Sequence, residues 1–202
     1  MITPIKARIH GYLCADGNVK RYNGSGEVRF FTNEKILAEI FQKSVEEAYG
    51  SVPYLSASSQ HNRGCFEIRT KRKEIFEDLV RYGKFGTHDW TPPSEIFDDK
   101  EAAGEWIKAF FDGEAHVNLK HCRIQVKSVN NKGISLVRDL LIRHFNVHAK
   151  LYGSYLQLNE NYAPYYQLEI IWKEDLAKYI NEIGFYSREK QLKASELPGW
   201  RS

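Results

Sequence analysis

Cysteine is scarce in this chain: three residues among 202, at Cys14, Cys65 and Cys122. The number is odd, the three are far apart and no CxxC pair occurs. This argues against a disulfide framework or zinc knuckle and for a reducing, intracellular setting. Long apolar runs are also lacking. No stretch reaches the roughly 18 residues of a membrane-spanning helix, and no signal-peptide pattern precedes the first helical segment. No membrane partner is expected, and the expected location is cytoplasmic, or organellar in a eukaryotic source. A dominant charge sign is missing as well: 29 Lys and Arg stand against 26 Asp and Glu, a net +3. Any case for a polyanionic partner must therefore rest on where the charges fall. Glycine-rich phosphate loops, Ser-His-Asp orders and dinucleotide-binding fingerprints do not occur. His116, His121 and Cys122 match no common zinc spacing, and His144 with His148 reads as a helix end and solvated surface.

What is present is a repeat. Ile9-His-Gly-Tyr-Leu-Cys-Ala-Asp16-Gly17 returns as Ile107-Lys-Ala-Phe-Phe-Asp-Gly-Glu114-Ala115. Each copy closes an apolar helical run with a small residue, an acid and another small residue. Within each copy two small residues sit four apart, Gly11 with Ala15 and Ala109 with Gly113, and residues four apart share a helix face. Two such flat stripes let two helices approach closely, as small-xxx-small stripes do in membranes. Side-by-side packing brings Asp16 and Glu114 together at helix C-termini. Carboxylates are disfavoured there by the helix dipole and by each other. A divalent cation relieves both costs, with Asp16 and Glu114 as ligands and the carbonyls of Ala15 and Gly113 beside them.

The remaining segments repeat one plan. Thr3-Pro4 starts a helix running to about Ala15. Strands at 18–22 and 27–32 flank a turn at 23–26. Asn33 is read as the cap of a helix to Tyr49, stopped by Gly50. Strands at 52–60 and 65–70 and a helix at 73–82 complete residues 1–85. Residues 86–99, with Pro92 and Pro93, read as a linker held down by Trp90 and Ile96. In residues 100–202 a capping box at 98–101 opens the second motif helix, expected to end near Asp112. Strands at 117–119 and 122–129, a helix at 131–145, strands at 147–158 and 165–171 and a helix at 173–183 follow. The tail from Ser187 is left open as a last helix or loose chain. The expected fold is α+β: two pseudo-symmetric αββαββα repeats, each with a four-stranded antiparallel sheet, forming a saddle around the two packed motif helices.

Strand alternation separates two faces. Arg123, Gln125 and Lys127 oppose Ile124 and Val126, and Tyr155, Gln157 and Asn159 oppose Leu156 and Leu158. In the first half Lys20, Tyr22, Arg29, Ser56, Ser58, Gln60 and Arg69 fall on the outward face. Arg63, Asn118 and Lys120 complete the set. Acids gather on the helices instead, with Glu27, Glu67 and Glu169 as exceptions. Arg and Lys match guanine edges, Asn and Gln match adenine, and a two-stranded ribbon fits the major groove of DNA. The narrow major groove of A-form RNA suits such ribbons less well.

Gly11-Tyr-Leu-Cys-Ala-Asp-Gly17 and Ala109-Phe-Phe-Asp-Gly-Glu-Ala115 resemble the two signature motifs of a single-chain LAGLIDADG homing endonuclease, and the resemblance covers nearly the whole chain. Cys14 stands where the family often has an acid, which Asp112 keeps in the second copy, and Ala115 replaces the usual closing glycine. The resemblance implies a monomer that cuts double-stranded DNA at a long, nearly asymmetric site, leaving 3′ overhangs. It implies Mg²⁺ at Asp16 and Glu114, with Mn²⁺ substituting and Ca²⁺ supporting binding without cleavage. It further implies basic groups at the start of each closing helix, Lys71 and Lys173, supporting the charge that develops on the phosphate. The alternatives on the same fold are an intron RNA maturase and a DNA-binding regulator that does not cut.

Overall fold

The computed structural model describes residues 2–22, 25–58, 64–156 and 163–197. Helix α1 (Pro4–Asp16) leads straight into strand β1 (Gly17–Tyr22), followed by β2 (Ser25–Thr32), α2 (Lys35–Tyr49), β3 (Tyr54–Ser58), β4 (Cys65–Thr70) and α3 (Lys73–Leu79). A 3-10 turn (Ser94–Asp98) precedes the second set: α4 (Lys100–Glu114), β5 (Ala115–Asn118), β6 (Arg123–Ser128), α5 (Asn131–Phe145), β7 (Lys150–Tyr155), β8 (Tyr165–Ile170), α6 (Lys173–Glu182) and α7 (Arg188–Ser195). The two antiparallel sheets have the same order, β1-β2-β4-β3 and β5-β6-β8-β7. This is the α+β, two-repeat architecture the sequence predicts.

The chain forms these elements for local reasons. Thr3 caps α1 by accepting from the Lys6 N–H, with Pro4 in the first turn where it needs no donor. Gly50 closes α2 in the left-handed region at φ 63°, its N–H on the Glu46 carbonyl. Asn130 caps α5 through the Gly133 N–H at 3.0 Å. Its amide also donates to the Trp90 carbonyl at 2.6 Å.

Several boundaries differ from the sequence reading. Asn33 is not the cap of α2; Glu34 stands there without a side-chain cap, and its N–H is taken by the Thr32 hydroxyl. The box at 98–101 resolves into a single cap, Asp99 on the Ala102 N–H at 3.0 Å, while Asp98 pairs with Arg143 at 2.7 Å. Helix α4 runs to Glu114 rather than Asp112, because Gly113 is held by packing and its intrinsic helix penalty is small beside tertiary contact. Helix α3 stops at Leu79, beyond which the Arg81 N–H bonds back to Asp78 in a tighter turn. Strand β3 begins after Pro53, which has no N–H for the ladder. Val147 closes α5 on the Leu141 carbonyl rather than opening a strand. The tail from Ser187 forms α7.

Two apolar clusters lie under the sheets. One gathers Tyr12, Leu13, Val28, Phe30, Phe41 and Ile68; the other gathers Trp106, Phe110, Phe111, Ile124, Val126, Leu168 and Tyr179. The motif helices serve both, since Ala7 and Cys14 of α1 pack in the second cluster and Ala109 of α4 in the first. Residues 86–99 are anchored in this core by two side chains: Trp90 is buried, 4.7 Å from the Phe110 ring and 6.3 Å from Trp106, and Ile96 is fully buried.

Candidate functional site

Helices α1 and α4 touch through their small residues. A methyl added at Gly11 would meet the Trp106 carbonyl at 2.5 Å and the Ala109 methyl at 3.1 Å. A methyl added at Gly113 would meet the Ala15 methyl at 2.5 Å and Asp16 Oδ2 at 2.7 Å. The first of each pair lies mid-helix and the second at the C-terminal end, so the backbones stay close along the whole stripe. Polar groups fix the register. Arg8 pairs with Glu105 at 2.5 Å, and the Tyr12 hydroxyl donates to Asp112 at 3.2 Å. The Trp106 indole donates to His10 Nδ1 at 3.1 Å, and burial holds that imidazole down at a pKa of about 3, hence neutral.

The two helix ends deliver the motif acids into cavities that correspond under the repeat. Gly17 pairs with Phe30 in one sheet and Ala115 with Val126 in the other. Phe31 and Thr32 are therefore counterparts of Lys127 and Ser128. Glu114 lines a cavity of about 470 Å³ with Leu13, Cys14, Ala15, Lys127 and Ser128. Asp16 lines a smaller one of about 310 Å³ with Phe31, Thr32, Asp112, Gly113 and Lys190. Each cavity thus holds the acid of one helix and the carbonyl end of the other: Glu114 with Ala15, Asp16 with Gly113.

The electrostatics are strained in the way the sequence suggests. Desolvation raises the Asp16 carboxyl, opposed by Lys190. Glu114 is pushed up to about 7, by burial first and by the Asp16 charge second, again opposed by Lys190. Asp112 also stands at about 7; burial raises it, while the Ser187 N–H, Lys190 and Tyr12 pull it down. Among the described residues, no three His, Cys, Asp or Glu side chains converge on one point. The donor set is two carboxylates and the helix-end carbonyls of Ala15 and Gly113, residues that line the two cavities. Such hard oxygens suit Mg²⁺, which is commonly held by one or two carboxylates and completes its shell with water and phosphate oxygens. An ammonium group, that of Lys190, already rests on the Gly113 carbonyl at 3.3 Å, so this end of α4 accommodates a cation.

Lys71 is exposed and lies 3.9 Å from Glu27, and Lys173 is exposed at the start of α6. The base that acts on both motif acids is Lys190 of α7. Sequence reasoning missed it because residues 187–202 were left without an assigned structure. The signal was Ser187, which caps α7 through the Lys190 N–H at 3.2 Å. Asp112 was noted as a motif acid without a role. It is buried and accepts from the Tyr12 hydroxyl and from the N–H groups of Tyr186 and Ser187. It thereby ties the last helix to α4.

The open sheet faces carry two corresponding rows. In the first sheet Asn18, Arg29, Arg69 and Tyr54 lie side by side across four strands; in the second, His116, Gln125, Glu169 and Lys150 do. Arg29 is flanked by Glu27 at 2.6 Å and Glu67 at 3.5 Å, and Arg69 lies over the Tyr54 ring at 5.7 Å. Arg123 pairs with Glu169 at 2.5 Å, and Lys127 lies over Tyr165 at 5.1 Å. The acids that looked like exceptions in the sequence are thus the partners that hold two of the arginines. Among the described residues, Arg123 Nε and Gln125 Oε1 have no hydrogen-bond partner. Lys20 and Ser56 lie in β1 and β3 opposite Glu27 and Glu67, Lys120 is exposed in the β5–β6 turn, and Tyr155 is exposed in β7. The Asn118 side chain is occupied in that turn by the His121 N–H at 3.0 Å. Tyr22 and Ser58 are placed in their strands by backbone alone, and Gln60, Arg63, Gln157 and Asn159 lie outside the described residues.

A family model described as a LAGLIDADG-like domain matches residues 101–184. A probable translation initiation factor IF-2 of Methanocaldococcus jannaschii is 31% identical over 156 residues, which is 69% of this chain and 13% of that protein. A DNA polymerase II large subunit of Thermococcus kodakarensis is 24% identical over 213 residues, 95% of this chain and 12% of that one. The chain thus spans about an eighth of the curated relatives it matches. Among solved structures, I-DmoI in complex with DNA and Mn has a TM-score of 0.65 at 16% identity, covering 90% of this chain and 96% of its own.

Proposed function

We propose that this chain, which belongs to the LAGLIDADG family, is a site-specific endonuclease that hydrolyses double-stranded DNA with divalent metal and leaves staggered 3′ ends. One observation carries the reading: at the ends of α1 and α4 each acid shares a cavity with the C-terminal end of the other helix, Asp16 with Gly113 and Glu114 with Ala15, and Asp16 Oδ2 closes on Gly113. Two like-charged carboxylates at helix C-termini are a cost that packing does not offset, and a metal ion on these oxygens removes it. I-DmoI, similar in fold, has been solved with DNA and Mn and with DNA and Ca, which supports both the metal class and the substrate class.

Bound Mg²⁺ would supply charge relief on the phosphate and a water of lowered pKa. The chain's own residues do the rest. The contact of Gly11 with Ala109 and of Gly113 with Ala15 fixes the separation of the two acids, so that two phosphates of one duplex meet them in a set register. The rows on the open sheet faces grip the duplex on either side. Arg29 and Arg69, directly opposed, are mutually repelling and favour an anion or a guanine edge between them. The corresponding Gln125 and Glu169 do not, so the two halves of the target are read differently. Glu27, Glu67 and Glu169 hold Arg29 and Arg123 ordered before DNA arrives, which lowers the entropy lost on contact.

A second reading, a protein of this fold that binds DNA without cutting it, is favoured by one observation: the Lys190 ammonium rests on the Gly113 carbonyl, where a metal ion would otherwise sit. The experiment is incubation with double-stranded DNA carrying a site recovered by binding selection from a randomised library, in Mg²⁺, EDTA and Ca²⁺. A discrete double-strand cut in Mg²⁺ alone supports the endonuclease. Tight binding with no cut under any metal supports the second reading.

A further inference from the structure

The two halves of the candidate centre differ within the repeat, where Lys127 of the Glu114 cavity corresponds to Phe31 of the other, and they differ again through an element outside it. Helix α7 has no counterpart after α3, and it brings one lysine to the end of α4. Lys190 Nζ donates to the carbonyls of Phe111 at 3.2 Å, of Asp112, and of Gly113 at 3.3 Å. Four carboxylates surround it: Asp112, Glu34, Asp16 and Glu114. At the corresponding end of α1, among the described residues, no lysine reaches the carbonyls of Leu13, Cys14 or Ala15, and the cavity there is the larger of the two.

A lysine near a helix C-terminus is common, since the dipole and the free carbonyls favour it. Two features go beyond that. First, the group is half-buried and its attachment is rigid. Ser187 donates its N–H to Asp112 at 3.0 Å and its hydroxyl to Glu34 at 2.7 Å, and it caps the helix that carries Lys190. Second, the ammonium bonds one half of the crossed ligand set, the Gly113 carbonyl, and lies within electrostatic reach of its partner acid, Asp16. Burial lowers the Lys190 pKa, and the four acids oppose that.

We propose that Lys190 is a tethered cation that holds the Asp16–Gly113 half of the centre in the free protein, so that a divalent ion enters first at the Glu114–Ala15 half and reaches the second half only by displacing the lysine. The inference rests on the metal-dependent reading given above and deepens it: besides Lys127, which lines the Glu114 cavity where Phe31 lines the other, one side chain from outside the repeat sits directly on a carbonyl of the Asp16 half. The inequality sets an order of metal entry.

The test is Mn²⁺ uptake without DNA, by calorimetric titration and by loss of the free-ion electron spin resonance signal. Wild type is expected to take up one ion per chain well and a second at least about tenfold more weakly, since a neighbouring unit charge is worth more than 1.4 kcal/mol at this range. Lys190→Met keeps the aliphatic stem and removes the charge; its two ions are expected to bind with affinities within a few-fold of each other. Lys190→Arg keeps the charge and is expected to retain the unequal pattern. Two equal sites in wild type would overturn the inference with no variant needed. So would an unchanged second site in Lys190→Met, or a gained one in Lys190→Arg. Each of these leaves the endonuclease reading standing, whereas no uptake by any of the three folded proteins overturns both.

Discussion

Asp16 Oδ2 lies over Gly113 of the opposite motif helix, so close that a methyl there would stand 2.7 Å from it. The same methyl would stand 2.5 Å from that of Ala15, which has no rotamer to escape into. Gly113→Ala is therefore expected to push the helices apart and destabilise the fold by about 1–3 kcal/mol, as overpacking does. The helix-propensity gain, at most about 1 kcal/mol, does not cover this. Gly104→Ala, in the same helix, meets only the tip of Phe145 at 3.2 Å. It is expected to be neutral or stabilising by up to about 1 kcal/mol. Urea unfolding of the pair checks the contrast, and equal effects would contradict close packing at Gly113.

Glu114 gives a pH dependence with a definite sign. Its carboxyl is raised from 4.5 to about 7 in the folded chain. Between those values the folded state holds a proton that the unfolded chain has released, so stability falls as pH rises through the window. The penalty is complete above about pH 7 and absent below about pH 4.5. Glu114→Gln removes it, and is expected to be more stable than wild type at pH 8, by on the order of 2 kcal/mol. The gap should close toward pH 4.5, and adding Ca²⁺ at pH 8 should narrow it. Thermal melts at the two pH values decide. A gap of the same size at both would mean that the charge on Glu114 is not the cause.

The sheet rows make a separate prediction about DNA. Arg123→Ala removes a cation and frees Glu169, a buried acid on the same face. Affinity for the target is expected to fall by about 1–3 kcal/mol, with relaxed base choice confined to one half. Glu169→Gln is expected to bind more tightly and with weaker base preference, because one negative charge leaves the interface. Binding selection on a randomised target reads both. Loss spread evenly over both halves would contradict the assignment of each sheet to its own half.

How much of this was legible follows from what each residue's role depends on. The motif helices, the capping at Thr3, and the alternation that buries Ile124 and Val126 are local patterns, and they were readable. The glycine stripes were readable because their meaning is steric. Helix ends were less so: Gly113 looks like a stop until Ala15 packs on it, and Asn33 looks like a cap until the Thr32 hydroxyl takes the Glu34 N–H. For Lys190 the one local signal was the Ser187 cap that begins its helix. Its position depends on Asp112 gripping Tyr186 and Ser187, a contact across some 75 residues of sequence. Its importance comes from four acids drawn from three other segments. Lys71 and Lys173 rest on the resemblance and their place at the start of each closing helix, whereas the electrostatic effect of Lys190 on Asp16 and Glu114 comes from a helix outside the repeat.

The central claim is that Asp16 and Glu114 hold metal for DNA hydrolysis. Its most direct test compares Asp16→Asn with wild type on the same target DNA, measuring Mg²⁺-dependent double-strand cleavage and DNA affinity in Ca²⁺. The account predicts cleavage lost by at least about a thousandfold, with affinity within a few-fold of wild type. Cleavage by Asp16→Asn at the wild-type rate would contradict it.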